Sequence, residues 1–269
     1  MHTSDDWQRM DNDEKLHAKA TEQTVLDVHW WTDSLLTFTT TRDPGYAFSA
    51  GQYARLGLRD AHGLVWRAYS MTSAPSSESL EFYGILVTGG LFTSRLRHIK
   101  PGDRIFIERQ VYGFMTPDRF ADGRDLWMFG TGTGIGPYLS MLRAPFIWQH
   151  FPNVVLVHGV RHTEELTYRD ELESLMANPP VPSRTRLQVL RCTSRDKQGP
   201  GTLHGRVTAL LENGELERVA GLSVTPEHAR VMMCGNPAMI EDIRKLLHRR
   251  EMRPCRRAAP GQFVTENYW

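Results

Sequence analysis

The hydrophobic rhythm of the chain changes once, near residues 116–124, and that change limits the fold more than any other feature. Before it, short runs rich in β-branched and aromatic residues follow one another closely. They are QTVLDVHWW (23–31), SLLTFTT (34–40), QYARLGL (52–58), VWRAYSMTS (65–73), LEFYGILV (80–87) and RIFIER (104–109). Turns at DPG (43–45) and PGD (101–103) punctuate them, because proline fixes φ and glycine permits positive φ. Closely spaced short strands predict a small antiparallel barrel, with a helical interruption near TSRLRHIK (93–100). After TPDRFADGRD, continuous apolar runs alternate with helix-like segments. LWMFG (126–130), VVLVHGV (154–160), RLQVLRCTS (186–194) and ARVMMCG (229–235) read as buried strands. PYLSMLRAPF (137–146), a stretch around 164–177 and NPAMIEDIRKLLHRR (236–250) read as helices between and after them. Such alternation predicts a parallel sheet.

The expected fold is therefore two-domain: an antiparallel β-barrel over residues 21–120, then an α/β parallel-sheet domain over 121–269. Residues 1–20 form an N-terminal extension. The 269-residue length suits two domains at about 150 residues each. In the last helix Asn236 is placed to cap and Pro237 suits the first helical position. Glu241 and Asp242 lie early and Arg249 and Arg250 late, as the helix dipole favours. Ile240, Ile243 and Leu247 share one face, with Leu246 beside it.

Composition narrows the function classes. The formal net charge is only +1, which does not point to nucleic acid or to a membrane surface. No apolar run approaches the roughly 18 residues of a membrane span. MHTSDDWQRMDNDEKLHAKA lacks the basic start and apolar stretch of a secretory signal, so a cytoplasmic protein is expected. The cysteines are Cys192, Cys234 and Cys255, an odd set that makes a poor disulfide framework. Three thiolates also fall short of the four that hold an iron–sulfur cluster.

GTGTGIGP (130–137) lies between an apolar strand and a helix. Its glycines let a backbone approach a phosphate, and a helix N-terminus favours negative charge. The spacing is neither G-x-G-x-x-G nor a P-loop, so it reads as a pyrophosphate loop or as a tight strand–helix turn. An NAD site usually places an acid after the second strand to hold the ribose hydroxyls. Here that strand runs into Arg161 and His162, and Ser194, Arg195 and Arg206 follow farther on. Forked guanidiniums suit a 2′-phosphate, so the set favours NADP over NAD, while each arginine alone reads as an ordinary surface residue. Cys234 ends a probable parallel strand, the edge where ligands sit in open α/β sheets, and a buried structural cysteine is the alternative. RAYSMTSAP (67–75) offers Arg67 for a phosphate, Tyr69 for an aromatic ring and Ser70 for a polar ring edge, or a solvated edge strand. The terminal ENYW (266–269) ends on two aromatics expected to dock on a flat or apolar surface.

Taken in order, RAYSMTS, LEFYGILV, GGLFTSRL, GTGTGIGPYLSML, VHGVR, TSRD, GRV, CGNPAMI and the terminal YW resemble the bacterial ferredoxin–NADP+ reductases (flavodoxin reductases) over roughly residues 22–269. The resemblance implies an FAD-binding barrel followed by an NADP-binding α/β domain. It implies that Arg67, Ala68, Tyr69 and Ser70 hold the flavin and its pyrophosphate and that Tyr83, Gly84, Ile85 and Leu86 line the flavin. Leu91, Phe92 and Thr93 would meet the pyrophosphate at a helix start, and Thr131 would approach from the second domain. Tyr268 and Trp269 look like closing aromatics over the FAD. Arg161, Ser194, Arg195 and Arg206 would bind NADP(H), with Cys234 and Glu266 as the candidates for a catalytic role beside the nicotinamide. Phe92 and Thr93 stand where Leu and Ser are commoner, and Thr keeps the hydroxyl.

The implied reaction turns a hydride from NADPH into single electrons for ferredoxin or flavodoxin; charge and hydropathy give no sign of nucleic acid or membrane, and a monomer is the expected form. The basic stretches RLRHIK (95–100) and RKLLHRREMRPCRR (244–257) read either as a docking patch for an acidic carrier or as solvated faces. Two other readings are the reductase component of an oxygenase and a non-enzymatic flavin-binding sensor. The small cysteine count argues against the first where it carries its own cluster, and the arginines argue against the second.

Overall fold

A computed structural model describes residues 15–61, 63–120, 122–196, 199, 201–256 and 259–267. The chain separates into two compact units. One comprises residues up to 48, 52–73 and 77–112, and the other 49–51, 74–76 and 113 onward.

The first unit is a six-stranded antiparallel sheet curled into a barrel. Its strands are β1 (Ala20–Trp30), β2 (Leu35–Thr40), β3 (Tyr53–Asp60), β4 (Gly63–Ser70), β5 (Leu80–Ile85) and β6 (Arg104–Glu108). Their order is β4-β3-β6-β1-β2-β5. β1 makes the corner: Ala20–Thr24 pair with β6, and from Val25 onward the strand pairs with β2 across an irregularity between Val25 and Asp27. An extra residue of this kind bends a strand and lets it serve two faces. Alternate residues point inward, so Leu36 and Phe38, Ala54 and Leu56, and Ile105 and Ile107 meet in one core. The terminal strands β4 and β5 touch at a single bridge, Met71 to Phe82. The helix α1 (Leu91–Leu96) buries Phe92 and Leu96 against this core.

The second unit holds six parallel strands: β7 (Asp125–Thr131), β8 (Asn153–Val160), β9 (Arg186–Thr193), β10 (Thr202–His204), β11 (Ala229–Gly235) and β12 (Phe263–Asn267). Their order is β10-β9-β8-β7-β11-β12. The chain proceeds outward from β7 through β8 and β9 to β10, then returns to β7's other side as β11. The strand order therefore reverses between β7 and β11, and ligands bind outside the strand ends at such a point. Helices α2 (Gly136–Leu142), α3 (Phe146–His150), α4 (Arg169–Ala177), α5 (Val207–Glu212), α6 (Glu215–Ala220) and α7 (Pro237–Arg249) accompany the sheet. β11 is buried throughout, which suits a strand with cover on both faces.

The sequence anticipated the capping of α7: the Asn236 side chain accepts from the Ala238 and Met239 N–H groups. Ile240, Ile243, Leu246 and Leu247 are all buried, as the periodicity requires. Glu241 and Asp242 lie past the first turn, so they add little through the dipole, which acts within one turn. The helix expected over 137–146 is two helices, because Pro145 lacks the N–H that would continue the first. The stretch around 164–177 is a single 3-10 turn, Thr163–Glu165, followed by the shorter α4. β10, α5, α6 and β12 were not anticipated, being too short for a periodicity to show.

Candidate functional site

Two groups of sequence-predicted residues emerge, one in each unit. In the barrel, β4 and β5 flank an open seam beyond the Met71–Phe82 bridge. Continuing that antiparallel register sets Ser70 opposite Tyr83, Tyr69 opposite Gly84, Ala68 opposite Ile85 and Arg67 opposite Leu86. Contact bears this out at one pair: a Cβ on Gly84 would stand 2.7 Å from Tyr69 Cε1. Only glycine lets the Tyr69 ring lie across β5 there. The ring also packs on Phe92, 5.4 Å between centroids, and burial pushes its hydroxyl pKa upward against the lowering effect of Arg67.

Arg67 is exposed and has no carboxylate partner among the described residues, its one bond being a long one to the Trp66 carbonyl at 3.4 Å. Val87 and Leu91, just past the end of β5, are large apolar side chains left in solvent, Leu91 at 68% exposure. The Thr93 hydroxyl turns inward, donating to the Val87 carbonyl at 2.9 Å and lying 3.2 Å from that of Gly90. It secures the 87–90 loop instead of facing outward, so a contribution from Thr93 to phosphate binding falls to its backbone.

In the α/β unit the glycine-rich loop closes tightly on the end of β11. A Cβ on Gly134 would meet the Cys234 carbonyl oxygen at 2.4 Å, and one on Gly235, at φ +122°, would meet Thr131 Oγ1 at 2.3 Å. The Asn236 N–H donates to Thr131 Oγ1 at 2.8 Å. A side chain on Gly132 would meet nothing within 4 Å, so the loop's outer surface is open. Thr131, Cys234 and Glu266 end three adjacent strands, with Cys234 level with Glu266.

Burial holds the Cys234 thiol well above its usual pKa, and the Glu266 carboxylate adds to this. Cys234 is therefore a protonated thiol and no nucleophile. Burial also raises Glu266 to about 7, against the lowering effect of a bond from the Met115 backbone.

The predicted dinucleotide arginines follow the ends of three neighbouring strands: Arg161 after β8, Ser194 and Arg195 after β9, and Arg206 after β10. Arg195 and Arg206 are exposed and have no carboxylate partner among the described residues. Arg161 differs, since its guanidinium donates to Glu165 at 2.9 and 3.1 Å and its N–H to the same carboxylate at 2.8 Å. Burial works to raise the pKa of Glu165, and these bonds together with the His162 N–H overcome it. Tyr268 and Trp269 lie outside the described residues.

Residues 128–245 match the oxidoreductase NAD-binding domain family. Ferredoxin–NADP reductase A of Sorangium cellulosum is 37% identical over 247 residues, which cover 91% of this chain and 89% of the relative. Flavodoxin/ferredoxin–NADP reductase of Escherichia coli is 38% identical over 246 residues, covering 91% and 97%. The chain belongs to the ferredoxin/flavodoxin–NADP reductase family. It is an oxidoreductase. The crystal structure of a ferredoxin NADP+ reductase from Neisseria gonorrhoeae with bound FAD and NADP matches it at a TM-score of 0.87 and 37% identity, covering 93% of this chain and 99% of that one. The ferredoxin reductase in carbazole 1,9a-dioxygenase, at 21% identity and a TM-score of 0.71, shares the fold, and 69% of that chain is covered.

Within this family member two further polar residues stand out that the sequence did not single out. His158 is buried in β8, where it bonds the Gly132 backbone and leaves Nε2 without a partner among the described residues. A histidine inside the apolar run VVLVHGV was the available signal. Asp196, next to Arg195, takes the Thr163 N–H and His162 Nδ1. Nothing in TSRD reveals that its carboxylate turns back onto the preceding strand's loop.

Proposed function

We propose that the barrel, over residues 21–120, seats FAD and that the α/β unit, over 121–269, seats NADP(H). Through them the chain exchanges electrons between NADPH and a one-electron carrier, ferredoxin or flavodoxin. The observation that carries the dinucleotide part is the delivery of Arg161, Arg195 and Arg206 by three adjacent strand ends, on the outgoing side of the sheet's switch point. The flavin part rests on the β4–β5 seam, where Gly84 gives the Tyr69 ring its place and Arg67 stands exposed.

The residues fit both groups. Arg67 would hold the FAD pyrophosphate, and Ala68, Tyr69, Ser70 and Tyr83 to Leu86 would line its ring, with Leu91, Phe92 and Thr93 at the phosphate end. The open glycine loop would take the NADP pyrophosphate, and Ser194, Arg195, Arg206 and Arg161 the 2′-phosphate. When bound, FAD supplies the conversion between two-electron and one-electron transfer. Cys234 presents a neutral thiol at the strand edge, offering no charge to trap a proton. Glu266 holds or releases a proton at its carboxyl near neutral pH, and when ionised its charge favours the positive, oxidised nicotinamide. Arg161 shares its guanidinium with Glu165, so Arg195 and Arg206 are the more available partners for a phosphate.

No helix among the described residues is long and apolar enough to cross a membrane. A cytoplasmic monomer is the proposed working form, and sedimentation at working concentration tests the monomer. The central test is an anaerobic titration of the purified protein with NADPH and, separately, NADH while the visible spectrum is recorded. A yellow protein bleached readily by NADPH and poorly by NADH is expected. Equal bleaching by both would remove the 2′-phosphate assignment, and a colourless protein that takes up no FAD would remove the flavin seat.

A further inference from the structure

Three strand ends carry the guanidiniums assigned to the 2′-phosphate, and holding such groups at a fixed spacing requires that the segments after those strands be tied to one another. One residue, Asp196, touches all three, with its carboxylate toward β8 and its backbone carbonyl toward β10. The Asp196 carboxylate accepts from the Thr163 N–H at 2.5 Å and from His162 Nδ1 at 2.8 Å, both in the loop after β8. Its own carbonyl accepts from His204 Nδ1 of β10 at 2.5 Å. Backbone bonds continue the seam, with the Arg195 N–H donating to the Arg161 carbonyl at 2.9 Å and the Ser194 N–H to that of Val160 at 3.1 Å. Each candidate guanidinium thus lies within two positions of an Asp196 contact: Arg161 beside His162, Arg195 beside Asp196 itself, and Arg206 two residues after His204.

A carboxylate here is otherwise unwelcome, since a free negative charge next to an anion site weakens it. The bonds explain its presence. The Thr163 N–H, followed by His162, draws the Asp196 pKa down to about 2, so the group is ionised at every working pH and each carboxylate oxygen has a donor.

We propose that Asp196 is a positioning residue: its carboxylate ties the end of β9 to the loop after β8 and so sets the spacing of the guanidiniums that select NADPH over NADH. The inference rests on the reading of Arg195 and Arg206 as 2′-phosphate ligands. Charge and position predict opposite signs, which makes it testable. Were Asp196 merely a nearby charge, removing it would tighten NADPH. As a tie, its loss loosens the arginines and weakens NADPH.

The experiment compares Asp196→Ala, Asp196→Asn and Arg195→Ala in the full-length flavin-loaded protein, measuring KM and kcat with NADPH and with NADH, and the melting temperature. For Asp196→Ala, KM for NADPH rises about tenfold, the loss expected of a hydrogen bond to a charged group. Its kcat with NADPH and its kcat/KM with NADH stay within about twofold, because NADH lacks the 2′-phosphate. Asp196→Asn keeps an acceptor for the Thr163 N–H and retains a KM for NADPH within about threefold of the parent. Tighter or unchanged NADPH binding in Asp196→Ala overturns the inference. So does an equal loss with both dinucleotides, which marks a general structural role, and so does an equal loss in Ala and Asn. An Arg195→Ala variant that keeps its NADPH preference removes the arginine reading itself and the inference with it, a result distinct from the three others.

Discussion

His158 shows what burial does to a single residue. Its imidazole is enclosed in β8, and desolvation is the largest effect on its pKa, taking it from 6.5 down to about 4 despite the bond to the Gly132 backbone. A histidine with a depressed folded pKa is neutral in both states above pH 6.5. As pH falls from 6.5 towards 4 the unfolded chain takes up a proton that the folded chain refuses, so stability falls. The loss is at most about 1.4 kcal/mol per pH unit, on the order of 3 kcal/mol across the window. His158→Phe should therefore be relatively more stable at pH 4.5 than at pH 7, by denaturant unfolding against the parent at both pH values. An unfolding difference that does not change with pH would show that His158 charges freely in the fold.

Glu266 works in the reverse sense. Its carboxyl is raised from 4.5 to about 7 by burial, so its contribution is present below pH 4.5 and is lost as pH rises through 7. Of the two residues, only Glu266 was singled out from the sequence, through the family pattern. The apolar run VVLVHGV hints that His158 is buried, but which groups its ring meets depends on the strands on either side of it.

At the scale of elements, the glycine-rich loop and the β11–α7 turn form one assembly. Gly134 sits against the Cys234 carbonyl and Gly235 against Thr131, so neither loop tolerates a side chain at the contact. Gly134→Ala places a methyl 2.4 Å from a backbone oxygen that has no rotamer to yield. We expect a loss of about 1–3 kcal/mol in stability and weaker NADP+ binding, read by thermal unfolding and by a binding isotherm. Parent-like values of both would mean that the two loops separate readily. The loop's composition was legible in GTGTGIGP, and its glycines suggested close approach. The sequence left a phosphate or a tight turn as the reason for the glycines, and Gly134 is needed for close approach to another stretch of backbone. A Cβ on Gly132, by contrast, would meet nothing within 4 Å.

The same difference between composition and placement governs charge over the whole molecule. RLRHIK and RKLLHRREMRPCRR read as strongly basic, yet several of their cations are committed. Arg95 holds Asp60 with two bonds of 2.7 Å, and Arg250 holds Glu217 at 2.8 and 2.9 Å. Arg244 and Lys245 share Glu241, and Arg249 meets Glu212. Arg97 and Lys100 in the first unit, and Arg253 and Arg256 in the second, are exposed and have no ion pair among the described residues. Among the described residues of these two stretches, these four are the arginines and lysines left to attract an acidic carrier. If they do, kcat/KM for ferredoxin should fall about tenfold between low and high salt, and Arg97→Glu with Lys100→Glu should lower the low-salt value. Stopped-flow reduction across a salt series measures it, and a flat profile would place docking on uncharged surface.

What the sequence determined by itself was the kind of local structure and the chemistry of single residues. Period-two runs, the capped helix at Asn236, the glycine loop and the ordered motifs depend on neighbours a few positions apart, and steric and solvation rules act at that range. Tertiary structure alone decided which of those pieces meet. It set β7 beside β11, and so brought the Asn236 N–H to Thr131 across 105 positions of chain. It also laid Tyr69 over Gly84 and turned Asp196 onto Thr163. These contacts depend on strand order and register, which arise when the whole core is buried together, and no short stretch of sequence contains the partner.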